Sequence, residues 1–372
     1  MLLESLEAVN FRNLSGRIHW GGGLNILYGD NGQGKTNWLE AITLLATTKS
    51  FRTQRLQEAT RFGESLAIVR GRVEHGDIHR DLQVNIQGST KSILVNGKRE
   101  PISRYLNQLH AVTFTAPDLE IVRGAPEARR EFVDNGVLSL HAAYARTLAD
   151  YQKVIKQKNR LLRQASEGSV PPDRVAQWLG PWNDQLVEFG WDIHKLRTEY
   201  VARLRQVLSK NFFGPETISI RYASSLEGKG DLSDYKALLA ERLTLRLQAE
   251  TVAGHALIGP HRDDLEIRFD GRDMRSFGSS GQQRSALITL DLAAISLYHS
   301  THNEYPLFLI DDVDAELDRK RIFALLDHLD GRTQTFITTS KESLAEQFVN
   351  RAKVCEIAEG SVVNGACETT CD

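Results

Sequence analysis

Residues Gly29-Asp30-Asn31-Gly32-Gln33-Gly34-Lys35-Thr36 fit the pattern Gly-x-x-x-x-Gly-Lys-Thr, and no other stretch constrains the fold as strongly. Glycines at these spacings let backbone N–H groups close around phosphate oxygens without a Cβ in the way. Lys35 brings a point charge for the β and γ phosphates, and the Thr36 hydroxyl is a ligand for Mg²⁺. The apolar run Leu24-Asn25-Ile26-Leu27-Tyr28 before the loop reads as a buried strand. The run Trp38 to Leu45 after it reads as a helix, whose positive end faces the anion. Strand, loop and helix in this order predict a nucleotide-binding α/β domain.

A second element comes late in the chain. Leu307-Phe308-Leu309-Ile310 is a short apolar run that ends in Asp311-Asp312. A buried strand with that ending delivers Asp311 to the shell of a Mg²⁺ ion and leaves Asp312 to orient or deprotonate an attacking water. Asp314 or Asp318 is the candidate N-cap for the helix that follows. A third element, Phe277-Gly278-Ser279-Ser280-Gly281-Gln282-Gln283-Arg284-Ser285, precedes the helical run Ala286 to Ser300. Small residues, Gly and Gln at a helix start make a second phosphate-binding end. The order of the three elements resembles ABC-class ATPases, whose signature reads Ser-Gly-Gly-Gln. Ser279, Gly281 and Gln282 match it and Ser280 departs from it. In that class the signature of one subunit faces the γ-phosphate held by another, so the resemblance implies an ATP-dependent homodimer. The run Asp311 to Asp318 also resembles the class's D-loop, which would bring Asp318 near the facing subunit.

Between these elements the chain changes character. Residues Leu66 to Val95 alternate apolar and polar side chains, with turns at His75-Gly76-Asp77, Gly88-Ser89 and Asn96-Gly97, and so predict an antiparallel meander. From about 120 to 250 the sequence is rich in Arg, Lys, Leu and Gln. Leu148, Tyr151, Ile155 and Leu162 form one helical stripe, and Trp182, Leu186, Phe189, Ile193, Leu196 and Tyr200 form another. The break Gly168 to Pro172 between them implies an antiparallel helix pair. The expected organisation is an ATPase head made from residues 1–119 and 252–372, with a helical arm, 120–251, inserted. Pro306 to Ile310 and Thr333 to Thr338 read as buried strands of the head, with a helix carrying Ile322, Leu325, Leu326 and Leu329 between them.

Further stretches extend the resemblance over nearly the whole chain: Asn10-Phe11-Arg12-Asn13-Leu14, Lys49-Ser50-Phe51-Arg52, Pro117-Asp118-Leu119, Gly124-Ala125-Pro126 with Arg129-Arg130, and Gly259-Pro260-His261-Arg262-Asp263-Asp264-Leu265. With the motifs above, this set resembles the RecF family, bacterial recombination-mediator ATPases related to SMC heads. The resemblance implies an α/β, SMC-like ABC-type P-loop head with a short helical arm, and ATP and Mg²⁺ as cofactors. It adds Arg12, Asn13 and Asn37 to Gly29, Asn31, Gly32, Gln33, Gly34, Lys35, Thr36, Ser279, Gly281 and Gln282 as nucleotide-binding residues. Thr36 and Asp311 are the metal ligands, and Lys35 and Asp312 the catalytic pair. It further implies DNA binding at single-strand gaps and duplex junctions by the ATP-bound dimer, action with RecO and RecR, and help in loading RecA during repair and replication.

Three departures from the ABC pattern point to slow hydrolysis: Asp312 stands where a Glu is usual, Thr338-Thr339-Ser340 where transporters carry a switch His, and no Gln marks the segment Thr113 to Pro117. The missing switch His, the segment without a Gln and the helical arm also speak against a transporter ATPase subunit. A small-metabolite kinase, or an SMC-like scaffold that binds ATP without DNA, would be further readings of the same motifs. With 46 Lys and Arg against 48 Asp and Glu, the chain has no global basic signal, so any DNA surface is a local patch. Lys153, Lys156, Lys158 and Arg160 form one candidate group and Arg52, Arg55 and Arg61 another, with solvated helix faces an equally good reading. His261, Asp263 and Asp264 suggest a metal site less well than a structural hydrogen-bonding cluster. Cys355, Cys367 and Cys371 make neither a disulfide framework nor a zinc site. The N-terminus lacks a signal peptide pattern, no apolar run is long enough to span a bilayer, and a cytoplasmic protein is expected.

Overall fold

The computed structural model describes residues 1–76, 78–208 and 217–365. The chain divides into two compact units, one of residues 1–119 and 279–372 and one of 120–278.

In the first unit a single helix organises the core. Lys35–Thr47 is buried along almost its whole length, with Trp38, Leu39, Ala41, Ile42, Leu44, Leu45 and Ala46 all inside. A helix that is apolar all round needs cover on every side, and two six-stranded sheets supply it. One sheet is antiparallel, in the order Leu14–His19, Leu2–Phe11, Leu66–His75, Ile78–Gln87, Thr90–Val95, Lys98–Arg99. It contains the predicted meander. Gly71 has no room for a side chain, because a Cβ there would meet Leu45 Cδ2 at 2.3 Å; the bare backbone lets strand and helix approach.

The other sheet runs in the order Ser361–Gly365, Ala352–Ala358, Leu24–Tyr28, Thr335–Thr339, Leu307–Ile310, Ala111–Phe114. The strands from Ala352–Ala358 to Ala111–Phe114 are parallel. Leu307–Ile310, an interior strand of this parallel set and buried at all four positions, reads as an unbroken apolar run rather than an alternation. Trp20 packs edge-on against Trp38 and Phe336, with ring centroids 6.5 and 5.1 Å apart. Gln334 ties the two ends of the chain together. Its Oε1 accepts from Leu3 N (2.8 Å), and its Nε2 donates to Leu3 O (2.9 Å) and Gly21 O (2.8 Å).

The second unit is mostly helical. Tyr144–Ser166 and Pro172–Leu208 pack against each other across a five-residue turn, as the two stripes and the break between them predict. The sequence pattern places the return to the head at 252, but residues 252–278 belong to this unit. The reason is a small sheet in which Asp264–Phe269 pairs with Ile218–Ala223 on one side and Arg272–Asp273 on the other.

Several charged residues of this unit are structural. Lys158, a candidate for DNA contact, is fully buried and pairs with Glu250 at 2.7 Å, so its charge does not reach a DNA surface. Arg129 forms a two-pronged pair with Asp264 (2.6 and 3.0 Å), and Arg197 one with Asp134 (2.7 and 2.9 Å). Asp263 accepts from Tyr222 Oη and Ser225 N, both at 2.6 Å. Residues 261–264 therefore form a hydrogen-bonding cluster. In the first unit Cys355 is buried; Cys367 and Cys371 lie outside the described residues.

His261 gives the second unit an acid-sensitive joint. Its Nδ1 faces Tyr151 Oη at 2.7 Å and its Nε2 faces Ala256 O at 3.4 Å, which suits a neutral ring protonated on Nε2. Burial pushes its pKa down to about 4, whereas a histidine in an unfolded chain titrates near 6.5. The unfolded chain thus binds the extra proton first. The stability that the neutral ring confers is complete above about pH 6.5 and is lost as pH falls toward about 4, by on the order of 3 kcal/mol in all. Urea midpoints at pH 7 and pH 5 should differ more for the wild type than for His261→Asn. Equal pH dependence would show that another group carries the effect.

Candidate nucleotide site

Parallel pairing brings the carboxyl ends of three strands side by side. Leu24–Tyr28 ends at Gly29, Leu307–Ile310 ends at Asp311, and Thr335–Thr339 lies between them. Its register sets Ile337 opposite Ile26 on one side and Ile310 on the other. A crevice beyond such strand ends is where open α/β sheets bind ligands.

The loop Gly29–Gly34 has positive φ at Gly29 (143°), Gly32 (81°) and Gly34 (107°). Two of these glycines are also sterically required. A Cβ on Gly29 would lie 2.4 Å from Ile357 O, and one on Gly34 would lie 2.9 Å from Asn13 Oδ1. Asn31 and Gly32 form the exposed crown of the loop. Lys35 is buried, and its Nζ donates to Gly29 O (2.7 Å) and Asp30 O (2.8 Å), which holds the charge inside the loop's curve. The turn after Ala352–Ala358 braces the loop from the far side. Gly360 N donates to Gln33 O (2.7 Å), and Glu359 N donates to Gln33 Oε1 (2.7 Å).

Thr36 and Asp311, 275 residues apart, meet here: Thr36 Oγ1 donates to Asp311 Oδ1 at 2.9 Å. Thr338 Oγ1 donates to the same oxygen at 2.7 Å and accepts from Asp312 N at 2.7 Å. In the sequence Thr338 stands out only as part of a segment without a switch His. Its role as the link between both aspartates emerges only from the strand order. Asp312 adopts a left-handed backbone (φ 46°), a conformation that Asp tolerates better than most residues and that is found at functional sites. Burial raises its pKa, and the neighbouring Asp311 charge raises it further, while Lys35 opposes both.

Asn13 and Asn37 stand at the other flank of the loop. Asn37 Nδ2 donates to Asn13 Oδ1 (2.6 Å), and Asn13 Nδ2 reaches Gln33 O at 3.5 Å. Arg12 sits beside them but its guanidinium is engaged elsewhere. Nε and Nη2 donate to the buried Glu40 at 3.0 and 2.8 Å, and Nη1 to Glu58 O at 2.8 Å. Arg52 Nη1 donates to Asn37 Oδ1 (2.5 Å). Arg61 donates to Arg12 O and Leu14 O, so it braces the backbone.

The signature residues start the helix Ser280–His302. Ser279 is its N-cap, in a reciprocal capping box: Gln282 N donates to Ser279 Oγ (3.3 Å) and Ser279 N donates to Gln282 Oε1 (2.9 Å). Gly281 O accepts from Arg321 Nη1 (3.2 Å), and Arg284 Nε donates to Glu316 Oε2 (2.7 Å). The signature start is thus tied to the segment after Asp312. Among the described residues, no hydrogen bond joins Ser279, Gly281 or Gln282 to residues 29–36 or to Asp311. Asp318 accepts from Arg321 N (2.9 Å) and caps Arg319–Leu329, while Asp314 accepts from Thr339 Oγ1 (2.6 Å).

The family profile of the RecF/RecN/SMC N terminal domain matches residues 2–362. The chain belongs to the RecF family. It is 35% identical to the DNA replication and repair protein RecF of Staphylococcus epidermidis, over 98% of this chain and 100% of that one. It is 34% identical to the RecF of Lactobacillus acidophilus, over 97% and 98%. A solved structure of the recombination mediator protein RecF-ATPrS in the RecFOR pathway superposes with a TM-score of 0.87 at 30% identity, covering 98% of both chains. An SMC head bound to the C-winged helix domain of ScpA shares the fold alone, at 16% identity and a TM-score of 0.51. No helix among the described residues is long and apolar enough to cross a membrane.

Thr338→Val keeps the shape of the side chain but strips the bond to Asp311 and the acceptor for Asp312 N. A loss of about 1–3 kcal/mol in urea unfolding is expected, with Thr338→Ser near wild type. A Val variant as stable as wild type would mean that the link contributes nothing.

Proposed function

We propose that the chain is an ATP-driven, DNA-binding clamp in which two copies complete each other's nucleotide sites. The observation that carries this reading is the contact between Thr36 Oγ1 and Asp311 Oδ1 at the mouth of a phosphate loop. A hydroxyl and a carboxylate at that spacing are hard oxygen donors of the kind Mg²⁺ takes, in a site where phosphates and water supply the remaining ligands. Thr36 and Asp311 would hold the ion, which when bound neutralises charge on the β and γ phosphates. The loop N–H groups and Lys35 would hold the triphosphate, with Asn13 and Asn37 flanking it.

Asp312 is the base. It takes a proton from water as the water oxygen bonds to the γ-phosphorus, the bond to the bridging oxygen breaks, and ADP and phosphate leave. Its carboxylate reaches one methylene less far than a Glu in its place. Turnover is slow for that reason, and ATP acts chiefly as the state that holds the dimer closed. The capping-box serine supports the second half of the reading. Ser279 Oγ accepts from Gln282 N, and the hydroxyl proton remains for an acceptor outside the turn. A γ-phosphate on a facing copy is such an acceptor.

The RecF relatives support a place in the repair of gapped or stalled replication products. This chain would act there at single-strand gaps and duplex junctions, with proteins corresponding to RecO and RecR, upstream of RecA loading. A transporter role gains no support. Lys153, Lys156 and Arg160 remain the arm's candidates for DNA phosphates.

The test uses the full chain with Mg²⁺ and ATP. Ser279→Arg should bind ATP as a monomer yet fail to dimerise, and Asp312→Asn should give a long-lived ATP dimer with turnover reduced at least tenfold. A Ser279→Arg dimer by sedimentation, or unchanged turnover in Asp312→Asn, would remove those residues from their roles.

A further inference from the structure

Phe62 is wholly exposed, at 104% of its reference accessibility. Its setting is rigid. Glu64 N donates to Arg61 O at 3.0 Å and closes a turn with Phe62 and Gly63 at its corners, and Gly63 has φ 87°. A positive φ at the second corner marks a type II turn, which projects the first corner's side chain outward.

The turn is pinned at its start. Arg61 N donates to Asn10 O (2.8 Å), Arg61 Nη2 to Leu14 O (2.7 Å) and Arg61 Nε to Arg12 O (3.3 Å). Thr60 bridges to Phe11, and Arg12 N donates to Ala59 O (2.7 Å). These anchors bracket Asn13, which itself contacts Asn37 and the carbonyl of Gln33. Phe62 is therefore fixed with respect to the phosphate loop, on its Asn13 flank. Thr36 and Asp311 meet at the candidate metal position of the same loop.

We infer that Phe62 is the stacking platform for the nucleotide's base, a purine ring that leaves the loop on the Asn13 flank. The inference rests on the nucleotide reading above and adds the residue that recognises the base. An aromatic ring held in water on a rigid turn loses little entropy when a flat ring covers it, and base–aromatic stacking is a substantial term in nucleic-acid binding. The ring is outside the core, so its removal leaves the core intact.

Calorimetry on the full chain compares ATP with inorganic tripolyphosphate, both with Mg²⁺. Phe62→Ala should weaken ATP binding about tenfold and leave tripolyphosphate binding and the thermal midpoint unchanged. Phe62→Trp should keep ATP affinity and show indole quenching with ATP but not with tripolyphosphate. ATP binding by Phe62→Ala at wild-type strength overturns the assignment, as does equal weakening for both ligands. Loss of dimerisation alone, with ATP affinity kept, overturns it in favour of a contact between copies. If the wild type binds neither ligand, the nucleotide reading itself fails, an outcome distinct from all of these.

Discussion

One carboxylate oxygen, Asp311 Oδ1, receives hydrogen bonds from two hydroxyls on two other elements, Thr36 on the loop helix and Thr338 on the intervening strand. The candidate site depends on this joint. The three residues come from opposite ends of the chain, so the joint forms only when the parallel sheet has assembled in the correct register. It also explains why the two neighbours of Thr335–Thr339 in the sheet must be those that end in Gly29 and Asp311. A shift of one residue in Leu307–Ile310 would turn Asp311 to the wrong face.

The joint places opposing demands on its surroundings. A half-buried carboxylate beside a second one is costly, and the raised pKa of Asp312 reflects that cost. The two hydroxyls that donate to Asp311 and the nearby Lys35 offset part of it. The same features that make the site unfavourable for charge prepare it for a cation and a polyanion together. The antiparallel sheet and the buried loop helix serve to hold these groups still. Trp38, Trp20 and Phe336 lock that helix against the sheets immediately behind the loop.

Much of this is legible in the sequence because it depends on local patterns. The loop glycines, the strand that ends in Asp311-Asp312, the meander from Leu66 and the helical stripe from Trp182 each carry their period or their turn chemistry within a few residues. What is not legible is relational. The link through Thr338, the brace of Gln33 by Glu359 and Gly360, and the Arg284–Glu316 pair all depend on which distant segments become neighbours. Lys158 looks like a surface charge because a helix face of Lys and Arg reads as solvated, and its partner Glu250 lies on another helix. Residues 252–278 read as head because strands return there, although those strands pair within the second unit. Phe62 gives no signal, since a lone aromatic in a polar stretch has no period.

The central claim is that a working site combines the phosphate loop of one copy with the signature of another. Mixing Lys35→Ala protein with Ser279→Arg protein tests it most directly. Each variant alone should lack ATP turnover, and the mixture should regain it, because a mixed dimer joins an intact loop from one copy to an intact signature from the other. A mixture as inactive as its parts, with mixed dimers shown to form, would contradict the account.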